Sequence, residues 1–157
     1  VRRVVSAHGA RMRLDGGRSV SNFLVPALAG RELAVCGDGS QTRSVCYVSD
    51  LVRGLIALMA VDTAPGGPVN LGNPAEISVL DLARLILRAI PSSSEIVFHP
   101  LPSDDPRRRQ PDIGRARGLL GWEPSVPFHE GLANTAAWFA IPEHRGIAAE
   151  DLTRAAE

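Results

Sequence analysis

The 157 residues suffice for one domain with a buried core, or for part of a larger one. Their 17 basic side chains balance 17 acidic ones, which argues against a nucleic-acid or membrane-surface partner selected by bulk charge. Cys36 and Cys46 are isolated thiols without C-x-x-C spacing, against a disulfide frame or a zinc site. No run reaches the length of a membrane span and no signal-peptide pattern opens the chain, so a cytoplasmic location is expected. Every basic residue is an arginine, so each local cation can bind a phosphate through two parallel donors.

In chain order, residues 1–5 are β-branched around an arginine pair and read as a strand. The sequence opens with Val inside that run, so a piece of a longer protein is expected. Residues 6–18 read as a polar, glycine-rich loop. Ser21 is placed as the N-cap of a helix over residues 22–29 that Gly30 ends. A brief strand over 33–36 leads into the turn Gly37-Asp38-Gly39-Ser40, and residues 43–48 alternate well enough for a second strand. Asp50 is expected to cap a helix with Leu51, Leu55, Leu58 and Met59 at helical spacing.

Residues 63–68 are a loop and 69–72 a short buried strand. Ser78 opens the next helix, whose apolar face is Val79, Leu82, Ala83, Ile86 and Ile90. Pro91 and three serines end it. A strand over 95–100 and a stiff, charged loop over 101–111 follow. Asp112 caps a short helix that Gly121 terminates, Trp122 sits at the turn beyond it, and a last helix runs over 128–139. Residues 140–157 read as a polar tail. Short strands alternating with amphipathic helices, with no repeat or linker, indicate an α/β class.

Catalytic signatures are scarce. No G-x-G-x-x-G follows a strand, and P-loop, H-E-x-x-H and G-x-S-x-G patterns are missing. His8, His99, His129 and His144 are scattered without ligand spacing. Asp104 and Asp105, before a proline, read as a solvated turn rather than an acid–base pair.

Binding signals are better. Arg43 follows a Gly-x-Gly-Ser turn whose amides can approach an anion without Cβ obstruction. On spacing alone, a solvated loop arginine reads equally well. Arg107, Arg108 and Arg109 lie between prolines that lower the entropy lost when the loop closes on a ligand, although an ordinary charged turn fits them too. Residues 20–23 open a helix whose free amides can meet a polar ring or an anion. An N-cap with a buried Phe accounts for the same residues. Tyr47, the sole tyrosine, reads by default as core packing with one bonded hydroxyl.

Read together, the blocks VSNFLVPALAGRELAVCGDGSQTRSVCYVSD, GPVNLGNPAEISVLDLARLI and DDPRRRQPDIGRARGLLGWEPSVPFHEGL resemble the C-terminal half of an extended short-chain dehydrogenase/reductase. The resemblance is to the NAD-dependent epimerase/dehydratase family, closest to its UDP-glucuronate decarboxylase (UDP-xylose synthase) branch. It covers about residues 1–139, and SNF, GDGSQTR and RRRQPDI are its specific elements. It implies a Rossmann-type α/β fold, with a sugar-nucleotide-binding portion at 1–139, a tail at 140–157, and an NAD-binding half upstream of Val1.

In such enzymes NAD oxidises the sugar at C4, the β-keto acid loses carbon dioxide, and the NADH formed reduces the ketone. The cofactor carries the hydride chemistry while the protein orients the sugar. The resemblance puts Arg43 and Arg109 on the diphosphate, and Asn22 and Phe23 near the nucleotide. It puts Val35 on the strand offering backbone groups to the uracil, and Gln41 and Tyr47 on pocket positions. Ala7, Arg13 and Arg18 fall on a segment between cofactor and sugar. The implied partners are a UDP-sugar and, in the complete enzyme, a second copy, with no nucleic acid, membrane or metal.

The departures matter as well. The glycine-rich NAD loop and the Tyr-x-x-x-Lys pair are absent: no tyrosine precedes Tyr47 and no lysine occurs. Nothing in these residues can then take the C4 hydroxyl proton in the family's way. Ser6-Ala7-His8-Gly9-Ala10 stands where the family reads Asn-Thr-Tyr-Gly-Pro, and Cys36 where an aromatic is usual. A UDP-sugar 4-epimerase or dTDP-glucose 4,6-dehydratase half, or a non-catalytic remnant serving as an interaction module, are the alternatives.

Overall fold

Among residues 2–4, 6–13, 19–62, 66–103 and 105–144, which the computed structural model describes, short strands alternate with helices. Strands β1 (Arg2–Val4) and β2 (Ala7–His8) precede helix α1 (Ser19–Leu28). Strands β3 (Leu33–Cys36), β4 (Thr42–Arg43) and β5 (Cys46–Tyr47) lead into α2 (Val48–Met59). Then come β6 (Val69–Leu71), β7 (Ile77–Ser78), α3 (Val79–Ala89) and β8 (Ile96–His99). Strand β9 (Arg108–Arg109) and helices α4 (Gly114–Leu120) and α5 (Phe128–Ala140) complete the order.

The pairing is non-local. Strands β1 and β6, β2 and β5, and β3 and β8 form parallel pairs, while β4 lies between antiparallel β7 and parallel β9. Parallel partners need long crossovers, and the intervening helices supply them.

Several local expectations change. The strand expected over 43–48 is two short bridges: Arg43 pairs with Ile77 and Arg109, whereas Cys46 pairs with Ala7, and Val48 already begins α2. The loop expected over 6–18 contains β2, and the charged loop over 101–111 contains β9. Helix α1 starts at Ser19, so Ser21 lies buried inside the helix instead of capping it. Gly30 does end that helix at φ +64°, with Gly30 N–H donating to Ala27 O and Arg31 N–H to Pro26 O.

Asp50 lies in the first turn of α2, whose N-cap is Tyr47 without a side-chain bond. Its carboxylate instead accepts the backbone N–H groups of Ser125 and Val126, the Ser125 hydroxyl and Arg53. Met59 points to solvent, while Leu51 and Leu58 are buried. Ser78 caps α3 as expected, accepting Asp81 N–H at 3.0 Å. Asp112 accepts Gly114 N–H from one residue outside the Ile113 N-cap of α4.

Two apolar cores result. The larger joins Leu24 of α1, Leu33 and Val35 of β3, Leu82 and Ile86 of α3, and Leu132 and Phe139 of α5. The smaller joins Leu51 and Leu58 of α2, Val69 and Leu71 of β6, Ala116 of α4 and Trp122. Each fully buried large side chain contributes roughly 1.5–3 kcal/mol of hydrophobic stabilisation. The chain between β4 and β5 runs along the seam, Val45 facing the larger core and Cys46 the smaller.

Candidate functional site

The turn at 37–40 is clamped onto the start of α3. Ser40 N–H donates to the Asp38 carboxylate, Leu80 N–H to Gly39 O, and Val79 N–H to Gln41 O. The bonds from Val79 and Leu80 satisfy amides that a helix start leaves open. Gly39 has φ +74°, and a Cβ there would lie 2.7 Å from Leu80 Cβ and 2.9 Å from Val35 Cγ1. Only glycine fits without a shift. Gln41 is buried and donates to Cys36 O at 2.9 Å, which ties the turn back to β3.

Strand β4 then delivers Arg43. Its guanidinium is not a solvated loop cation: the residue is 7% exposed. Nη1 donates to Thr42 O at 2.8 Å and Pro106 O at 2.9 Å, and Nη2 donates to the Asp105 carboxylate. Asp105, expected as a solvated turn, is thus the ion-pair partner of a buried arginine. Asp104 and Arg18 lie outside the described residues.

Strand β9 is anchored beside β4, with Arg43 in register with Arg109 and Thr42 with Arg108. Glu76 ties the two strands together, accepting from Thr42 Oγ1 at 2.5 Å and from Arg108 Nε at 2.8 and 2.9 Å. Hydrogen bonds from Arg108 and then Thr42 hold the Glu76 carboxyl below its usual range.

Asn22, Phe23, Gln41, Arg43, Asp105 and Arg109 line one cavity of about 270 Å³, together with Ser19, Ala34, Cys36 and Val79. Five of the seven substrate-binding positions expected from sequence therefore share one space. Val35 does not line it: its side chain is buried in the larger core, and its strand neighbours Ala34 and Cys36 face the cavity instead. Tyr47 stands elsewhere, its ring centroid 5.5 Å from that of His8, edge-on.

Ala7 and Arg13 line a second cavity of about 440 Å³, with His8, Gly9, Arg11 and Val48 among its other walls. His8 is 1% exposed. The Thr135 hydroxyl donates to Gly131 O at 2.7 Å, so its oxygen is left to accept from His8 Nδ1–H at 3.2 Å. Nε2 is then an acceptor with no partner among the described residues. Burial lowers the His8 pKa to about 4, keeping the ring neutral. Burial and then the Asp50 charge push the Cys46 thiol up to about 12, so it is not a nucleophile.

Sequence reasoning missed Asp105 and Glu76 as parts of the site. The available signal was Pro106, which fixes the chain direction beside Asp105; nothing local marks Glu76. Among the described residues no cluster of His, Cys, Asp or Glu could hold a metal ion, and no helix is long and apolar enough to cross a membrane.

Residues 2–72 match the model of the NAD dependent epimerase/dehydratase family. The sequence is 51% identical over 140 residues to UDP-glucuronic acid decarboxylase 1 of Danio rerio, covering 89% of this chain and 33% of the relative. The chain thus spans about a third of the length of the curated relatives it matches.

The solved structures agree on the fold. An epimerase from Methanothermobacter thermautotrophicus superposes with TM-score 0.84 at 32% identity, over 95% of this chain and 44% of that one. The UDP-glucuronic acid 4-epimerase of Bacillus cereus, solved with UDP-glucuronic acid and NAD, gives 0.79 at 26% identity, over 87% and 43%. The α/β architecture is that of part of a Rossmann-like epimerase.

Proposed function

We propose that residues 1–139 are the sugar-nucleotide-binding portion of an NAD-dependent UDP-glucuronate decarboxylase, which converts UDP-glucuronate to UDP-xylose and carbon dioxide. The observation that carries this reading is the convergence of Arg43 and Arg109, in register on β4 and β9, at the cavity that Asn22 and Phe23 of α1 also line. A diphosphate is recognised best by guanidinium forks held from two directions. Arg43 is fixed by backbone carbonyls, and exposed Arg109 supplies the second fork. Asn22 is exposed on the cavity side of α1, placed to bond a polar edge of the nucleotide.

Similarity of 51% to a decarboxylase, against 32% and 26% to the epimerase structures, favours decarboxylation over epimerisation. For NAD, the second cavity suits one end of a dinucleotide: about 440 Å³, lined by Ala7 and Arg13, beside the unpartnered acceptor of His8. When bound, NAD supplies hydride acceptance and return at the sugar. The contribution of this chain is to hold and orient the UDP-sugar, with the proton transfers left to residues it does not contain. A cytoplasmic homodimer is the expected state of the complete enzyme.

Isothermal titration of the chain with UDP-glucuronate, UDP and uridine tests the reading. Binding that depends on the diphosphate supports it, and indifference of a folded chain to UDP and UDP-glucuronate defeats it. These 157 residues, given UDP-glucuronate and NAD, are expected to release no UDP-xylose. Turnover would place the reaction centre within them.

A further inference from the structure

The guanidinium proposed to grip a diphosphate already holds an anion. Arg43 reaches the cavity wall with a side chain 9% exposed, and its charge there is balanced by Asp105, whose side chain is 23% exposed. A buried cation left without a partner is strongly disfavoured, so some anion must stand at this edge whenever ligand is away.

We propose that Asp105 is a resident counter-anion, seated on the edge of Arg43 that phosphate oxygens take, and that it sets the affinity and charge selectivity of the cavity. The inference rests on the UDP-sugar reading of the cavity given above.

The geometry separates this role from mere positioning. Nη1 donates to two backbone carbonyls, Thr42 O and Pro106 O, so the guanidinium plane is fixed without Asp105. Asp105 engages Nη2 alone. Removing its charge therefore leaves the fork in place and opens one of its faces. Among the described residues, the charged side chains lining the cavity are Arg43, Arg109 and Asp105, a formal sum of +1, which becomes +2 when the carboxylate is neutralised. A nucleoside diphosphate sugar carries two negative charges and meets repulsion from Asp105 until that side chain turns away.

Selectivity follows from the tether. A carboxylate on the chain acts as an intramolecular competitor at high effective concentration, which a dilute monovalent anion does not displace. A ligand bringing two charges and reaching both arginines does.

The test titrates UDP and uridine into the wild-type chain and into Asp105→Asn, with Asp105→Ser as a second neutral variant and circular dichroism to confirm folding. The neutral variants are expected to bind UDP about tenfold more tightly, the size of one partly screened like-charge contact, with uridine affinity unchanged. UDP binding seen only in the neutral variants supports the role equally. Unchanged or weaker UDP binding in both variants overturns the role of Asp105 while leaving the cavity's assignment standing. A gain shared by uridine overturns it too, because the effect then does not act on charge. Failure of every folded form to bind UDP removes the reading of the cavity and the inference with it.

Discussion

Arg43 and Arg109 are partners in a parallel bridge, so two cations far apart in sequence emerge side by side from adjacent strands at one cavity. Like charges in register repel unless something anionic stands between or beside them. Asp105 meets that need at Arg43, and the diphosphate proposed above would meet it for the pair.

Arg43→Ala and Arg109→Ala are each expected to weaken UDP binding by roughly 1.5–3 kcal/mol, the range for a hydrogen bond to a charged group. They should differ in stability. Arg43 is buried and anchors Asp105 and Pro106, so its loss lowers the melting temperature; exposed Arg109 is expected to leave it nearly unchanged. Calorimetry with thermal denaturation separates the two effects, and unaltered UDP affinity in both variants refutes the assignment.

Gly39→Ala places a methyl group against Leu80 and Val35, and within 3.1 Å of the Leu80 backbone nitrogen, at a φ of +74°. Backbone cannot step aside as a side-chain end can. A loss of about 1–3 kcal/mol in urea denaturation is expected, from overpacking and left-handed strain together.

Asp50→Ala removes one carboxylate from two backbone N–H groups, a hydroxyl and Arg53, all gathered between α2 and residues 125–126. Burial pushes the Asp50 carboxyl up, but the bonds from Val126, Arg53 and Ser125 outweigh it and hold the group below its usual value. Its contribution is therefore present above the ordinary value of 3.8 and lost as pH falls through the lower folded value. The substitution should cost about 3 kcal/mol near neutral pH, because buried donors are left unmet. A cost below about 1 kcal/mol in chemical denaturation contradicts this account.

His8 acts in a higher pH window. Its folded pKa of about 4 lies below the ordinary 6.5. Above 6.5 the ring is neutral in both states and its contribution is complete. Between 6.5 and 4 the unfolded chain takes up a proton that the folded chain refuses, so stability declines as pH falls, by about 3 kcal/mol in all. Urea titrations of wild type and His8→Asn between about pH 7 and about pH 4 should show a shallower decline in the variant. Identical slopes would mean that the ring is not kept neutral by the fold.

How much of this was legible in the sequence depended on how local each feature is. Ser78 was readable as a cap because its partner Asp81 lies three residues on, and the two side chains and the Asp81 amide bond one another. Ser21 and Asp50 carry the same kind of signal, yet neither caps. Ser21 is buried in α1, and Asp50 is claimed by residues 125–126, which no local pattern reveals. The strand at 33–36 was legible as a brief apolar run, whereas β2, β4, β5 and β9 are two-residue bridges defined only by distant partners. The same reason hid the burial of Arg43: beside Thr42 O next to it, its acceptors are Asp105 and Pro106, far along the chain. The gathering of Asn22, Phe23, Gln41, Arg43 and Arg109 was implied by the family resemblance and not by any local pattern; the separate placing of Tyr47 was not implied by it.

The division into two apolar cores gives the chain a built-in pair of optical reporters. Its two tryptophans fall one to each: Trp122 sealed within the smaller core, and Trp138 packed half-buried against the larger. Trp138 also stacks on His144, with ring centroids 3.6 Å apart, so the two indoles sit in unlike surroundings and emit differently. Fluorescence can therefore distinguish loosening beside the cavity that Arg43 and Arg109 line from loosening around α2 and α4 within a single sample.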